Sequence, residues 1–233
     1  MRRRAQSTPI GVAVLLAVTV VSVAALTVAA GSVVEESASA AEARSVSTAM
    51  GEALDAERSG PHERRLTLHE GRLRTVERSV RLLDGTDPAA EYAVGGLVYA
   101  AGERRVRHVA GTTVSDTGTG ARARTAPPVS IRDRTLFIGL SRLGADAVAV
   151  NGPTTVTLRT NVTHDRRRLS GEGIGIAVET RTPAVWERHF AELGATTTRR
   201  SFDDDGVPSV VARFPDVRDV YVFVHDLNLG VGR

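Results

Sequence analysis

Apolar and polar residues change their spacing twice along this chain. From Ala5 to Val34 no side chain is charged, and the heart of that stretch, Pro9–Ala30, reads PIGVAVLLAVTVVSVAALTVAA. Wound as an α-helix at 1.5 Å per residue, it covers roughly 33 Å, close to the ~30 Å hydrocarbon thickness of a bilayer. Pro9 suits a first helical turn, where its missing N–H has no partner to lose. Beyond this run Ala43, Val46, Met50 and Leu54 recur at steps of three and four, with Glu42, Glu52, Asp55 and Glu57 between them. That spacing predicts an amphipathic continuation of the helix. Ser59-Gly60-Pro61 stops it, because glycine takes the left-handed cap and proline cannot continue a helix. One helix from Pro9 to about Arg58 is the expectation.

After Pro61 the period becomes two. Leu66 and Leu68, a turn at Glu70-Gly71, then Leu73 and Thr75 predict a hairpin. Strands are also expected at Val80 and Leu82, Tyr92–Ala100, Arg104–Val109, Thr135–Leu140, Thr154–Thr163, Gly173–Glu179, Val207–Phe214 and Asp219–Leu229. Gly111–Pro128, rich in Gly, Thr and Ala, reads as loop or weak edge strand. In the last strand Val220, Val222 and Val224 face one way and Tyr221 and Phe223 the other, as befits a central strand. One helix interrupts the strands. Thr182 is its expected N-cap, Pro183 its first residue, Trp186, Phe190 and Leu193 its buried face, and Gly194 its stop. The expected fold class is α+β: a long N-terminal transmembrane and stem helix over 6–58, then a mostly antiparallel β domain over 62–233 with one short packed helix.

Composition narrows the function. There is no cysteine, so neither disulfides nor thiolate metal sites are available. The pI of about 10.1 suggests nucleic acid, yet all 30 basic residues are arginine, whose high pKa inflates the figure. Setting aside Arg2, Arg3 and Arg4 leaves 27 arginines against 27 acids. The rest are scattered among acids, with only Arg166–Arg168 as a run, and aromatics for base stacking make up 4% of the chain. Nucleic acid is therefore not an expected partner. The three leading arginines instead set an orientation by the positive-inside rule, with Glu35 and Glu36 opening the outer flank. The expectation is a single-pass membrane protein in contact with lipid, N-terminus cytoplasmic and C-terminal domain extracellular. Two other readings of the run are a secretory signal peptide cut at Ala38-Ser39-Ala40 and a buried core helix.

The order of basic residues, Ala5, then Gln6-Ser7-Thr8-Pro9-Ile10-Gly11-Val12, then the apolar helix resembles a class III prepilin signal. More specifically, it resembles the start of haloarchaeal type IV pilin-like and archaellin-like proteins. The resemblance implies that a prepilin peptidase cuts between Ala5 and Gln6, so that 1–5 is a leader and the helix stays on the mature chain. Ile10 stands where bacterial type IV pilins place a glutamate. Small side chains and the absence of aromatics in the helix permit close approach of other pilin-like subunits. Gly71–Gly85, Val94–Val106, Thr160–Arg167 and Thr182–Pro215 extend the likeness to an uncharacterised haloarchaeal family with pilin-type N-termini.

Candidate chemistry is sparse. Gly139-Leu140-Ser141-Arg142-Leu143-Gly144 misses the G-x-S-x-G spacing of a nucleophile elbow by one residue. Gly171, Gly173 and Gly175 lack the G-x-G-x-x-G spacing of a dinucleotide loop. Asp203-Asp204-Asp205-Gly206 has carboxylates for calcium but not the twelve-residue loop, and reads first as a hairpin turn. The histidines at 62, 69, 108, 164, 189 and 225 are dispersed, without metal-ligand spacing. Hence no catalytic, cofactor or metal residue is expected, and no enzyme. Asn161-Val162-Thr163 is a glycosylation sequon, which makes Asn161 the candidate acceptor. The leading expectation is a type IV pilin-like surface protein, anchored or assembled through its N-terminal helix. The alternative is an anchored extracellular binding module that never polymerises.

Overall fold

A computed structural model describes residues 7–56, 58–170, 173–203 and 205–232. The chain forms two compact units, Met1–Ala41 and Glu42–Arg233. Helix α1 (Ser7–Ala53) supplies the first unit and opens the second.

Among the described residues no helix is long and apolar enough to cross a membrane. The apolar side chains described on α1 run over 14–23, about 15 Å of helix and half of the ~30 Å a bilayer requires. This corrects the expected single-pass anchor, with its cytoplasmic N-terminus and extracellular domain. It also corrects the fold class: α+β led by a transmembrane stem gives way to a mostly β protein.

In chain order the first strands are β1 (Gly60–Leu68), β2 (Arg72–Val76), β3 (Ser79–Asp84), β4 (Asp87–Ala93), β5 (Gly96–Ala101) and β6 (Arg104–Val109). Then come β7 (Thr112–Asp116), β8 (Ala121–Ala123), β9 (Val129–Arg132), β10 (Thr135–Arg142), β11 (Ala149–Asn151) and β12 (Thr154–Ser170). After β13 (Ile174–Glu179) and helix α2 (Pro183–Glu192) follow β14 (Thr196–Arg200), β15 (Ser209–Arg213), β16 (Asp219–Asp226) and β17 (Gly230–Gly232). They form three sheets. The first has the order β1-β12-β16-β10-β9, with β17 also on β12; the second β11-β2-β5-β6-β7-β8; the third β14-β15-β13-β3-β4. Every pairing is antiparallel except β10 with β16.

The expected hairpin at Glu70-Gly71 is not formed. Leu66 of β1 lies opposite Val156 of β12, whereas Leu73 of β2 lies opposite Tyr99 of β5 and Val150 of β11. The reason is a contact from far away in the chain. The Glu42 carboxylate of α1 accepts the backbone N–H groups of His69 and Glu70, at 2.8 and 3.3 Å. Those donors are satisfied without a turn, and the chain passes from one sheet to the next. Gly71 completes the passage at φ +77°, where an added Cβ would stand 2.5 Å from the Ala100 carbonyl oxygen.

Two main cores result. In one, Val46 and Met50 from the end of α1, and Leu54 just after it, pack with Leu66, Leu73, Leu97, Tyr99, Val156 and Leu227. In the other, α2 lays Trp186 and Phe190 among Val80, Ile176, Val210, Phe214, Ile138 and Val222. The Trp186 and Phe190 rings are 5.7 Å apart, and Phe190 meets Phe214 edge-on at 6.1 Å. Pro183 is the first residue of α2, and Gly194, at φ +78°, follows its end. Thr182 holds the N-cap position without capping, because its hydroxyl turns 3.2 Å from that of Thr180. β16 is central, as its two apolar faces require, with Tyr221 stacked on Phe137 at 5.7 Å.

Candidate functional site

The first unit offers one surface. Val14, Leu15, Leu16, Val18, Val20, Val21 and Val23 are between 57% and 71% exposed. At 100° per residue these positions cover the whole circumference of the helix, so no side of this stretch is polar. Each such side chain taken out of water is worth roughly 1.5–3 kcal/mol, a strong drive toward an apolar partner. Thr19 conceals its hydroxyl by donating it to the Leu15 carbonyl oxygen at 2.8 Å, which leaves the surface still more apolar. The expected processing residues Ala5 and Gln6 lie outside the described residues.

The second unit carries a cleft of about 520 Å³ lined by Leu54, His108, Thr125, Pro128, Ser141 and His225, among others. His108, on β6, is buried, with Nδ1 2.9 Å from the Thr113 hydroxyl and Nε2 without a partner. Burial pushes its pKa down to about 4, so the ring is neutral near pH 7. Ser141 and His225 are register partners on the parallel pair β10 and β16. The serine of the imperfect elbow thus has a histidine beside it after all, though on a sheet rather than on a strand-to-helix turn. His225 is in turn opposite His164 on β12, and their Nδ1 atoms are 2.7 Å apart. Burial, reinforced by the His164 imidazole, lowers the pKa of His225. The next residue, Asp226, is held by the Arg142 guanidinium through both carboxylate oxygens.

Two of the aspartates considered for calcium, Asp203 and Asp205, are committed elsewhere. The turn between β14 and β15 is a hairpin, as expected, and its carboxylates face arginines. Arg81 lies 2.7 Å from both Asp203 and Glu91, while Arg78 is 3.1 Å from Glu179 and 3.7 Å from Asp205. Burial raises the pKa of Glu179 against the opposing pull of the Ser79 N–H and the Arg78 charge. Asp204 lies outside the described residues. Among the described residues no group of three or more histidines and carboxylates is placed to hold a metal ion. Asn161, on β12, is exposed, as is Thr163, while Val162 between them is buried.

Residues 4–230 match a family of unknown function, DUF7289. The chain belongs to that family. No curated protein and no solved structure matches it. The DUF7289 match runs from the arginine tip to Gly230 of β17, so helix and sheets belong to one family pattern. What DUF7289 proteins do must be argued from the surfaces just described.

The histidine pair was missed in the sequence because its members are 61 positions apart and share no motif. The one available signal was that each is followed by aspartate, His225 inside an expected strand and His164 just past the end of another.

Proposed function

We propose that this DUF7289 protein is a pilin-like structural subunit, assembled with copies of itself through α1, and without catalytic chemistry. The observation that carries the reading is the exposed aliphatic surface over 14–23. A stretch of helix that is uncharged, apolar on every side and free of aromatics is best covered by others like it. Small residues such as Ala17 and Ser22 let such helices approach closely where dispersion rather than charge does the binding. The charged tip ahead of the helix supports processing by a prepilin peptidase between Ala5 and Gln6, as in haloarchaeal type IV pilin-like proteins. Removing Arg2, Arg3 and Arg4 takes away like charges that would repel one another in a bundle. Asn161, exposed on β12 of the second unit, is the glycosylation acceptor of this reading.

The test is the mature N-terminus and the state of assembly. Mass spectrometry of the native protein is expected to find a chain beginning at Gln6, recovered in a sheared filament fraction. A chain that retains Met1 or Arg2, or one cut after Ala40, overturns the reading. Recovery only as a monomer overturns it in favour of a non-polymerising binding module.

A further inference from the structure

We propose that His164 and His225 form a two-point site for a divalent transition-metal ion of the copper, nickel or zinc type. The argument is geometric and independent of assembly through α1. The two residues are directly opposed on the antiparallel pair β12 and β16, and His225 is also paired with Ser141 of β10 on its other side, so the spacing of the two backbones is set by the ladder. Their Nδ1 atoms converge to 2.7 Å and their ring planes are 83° apart. Imidazole nitrogens bind these metals at about 2.0–2.1 Å, so two cis ligands stand about 2.9 Å apart at a right angle and about 3.3 Å apart at a tetrahedral angle. A separation of 2.7 Å needs to open by only a few tenths of an ångström, within the reach of small χ rotations.

The protonation chemistry agrees. Without metal, one ring must present N–H and the other its lone pair, since two lone pairs at this distance repel. With metal, both Nδ1 lone pairs are used and each ring keeps its proton on Nε2.

The surroundings select the ligand class. Asp226 is engaged by Arg142, and Asp165 accepts bonds from the Arg166 N–H and the Arg167 guanidinium at 2.9 and 3.3 Å. Both of these neighbouring carboxylates are thus engaged by arginines, and the donors the pair offers are two nitrogens. His164 is exposed and His225 half-buried, so water completes the coordination shell. Among metals that favour imidazole, the general affinity order places copper(II) first.

Calorimetric titration of the full chain with copper(II), and separately with nickel(II), tests this. One equivalent of copper(II) is expected to bind, with nickel(II) weaker and an electron paramagnetic resonance spectrum split by two nitrogens. His164→Gln and His225→Gln are each expected to weaken binding at least tenfold. His164→Gln alters an exposed strand position, so it decides the matter even if His225→Gln disturbs the fold; circular dichroism checks both. Uptake of unchanged stoichiometry and affinity in His164→Gln would place the metal on other histidines and overturn the proposal. Absence of binding to the unmodified chain would reduce the pair to an ordinary hydrogen bond, and also overturns it.

Discussion

Val18 and Met50 lie on the same helix, yet Val18 is 60% exposed and Met50 is fully buried. Around Val18 every neighbour is apolar or small, and no polar face exists to turn outward. Around Met50 the apolar positions shrink to a stripe, Val46, Met50, Ala53 and Leu54, and that stripe closes one of the two main cores. The helical conformation is common to both stretches, so helicity does not decide what a segment is for. What differs is whether the sequence supplies a polar side. A stripe packs within its own fold; a surface apolar all round demands a partner.

Substitutions at the two positions sharpen that contrast. The largest effect belongs to Leu15→Glu with Val18→Glu, expected to convert assembled material to monomer in sedimentation while the melting of the second unit stays unchanged. Met50→Ala should do the reverse, costing about 2–5 kcal/mol of unfolding free energy by leaving a cavity, with assembly retained once the protein is folded. If both changes destabilise the second unit alike, the division of α1 into an assembly stretch and a packing stretch fails.

A smaller effect is expected from pH. His108 is held neutral by burial, with a pKa of about 4 against 6.5. Its depressed folded pKa means that its contribution is fully present above pH 6.5 and fades as pH falls toward 4, because the unfolded chain takes up the proton first. The loss is about 3 kcal/mol over that window at most. Urea unfolding of the native chain against His108→Gln, compared at pH 7 and pH 4.5, isolates it from the carboxylates that titrate nearby; equal slopes would sink the assignment. Smallest is Glu42→Gln, which weakens the bonds to the His69 and Glu70 amides. About 1–2 kcal/mol is expected from turning charge-assisted hydrogen bonds into neutral ones. Faster hydrogen exchange at those two amides is the measurement.

Much of the second unit was legible wherever the relevant physics is local. Helix α2 could be placed to the residue at its start because Pro183 and the 186–190–193 spacing act within one short segment. The turn before β15 was legible for the same reason. The membrane reading failed because an apolar run states only that water is unfavourable, not what replaces it. β7 and β8 read only as loop or weak edge strand, and β8 is indeed at a sheet edge, since Thr, Ala and Gly become strand only when a neighbour such as β6 offers its edge. The candidate site was the least legible part. His225 meets Ser141 through a parallel pairing and His164 through an antiparallel one, and neither register is written in the spacing of residues along the chain.

The sequence by itself determined where the chain is apolar, where it alternates and where it turns, because the 3.6- and 2-residue periods and the limits on glycine and proline arise from backbone geometry within a few residues. Only the tertiary structure decided that β1 leaves β2 for β12, that Asp203 and Asp205 face arginines, and that two histidines 61 positions apart touch. Each of those depends on register between distant segments, and register is set by the joint burial of whole strands rather than by any residue's own preference.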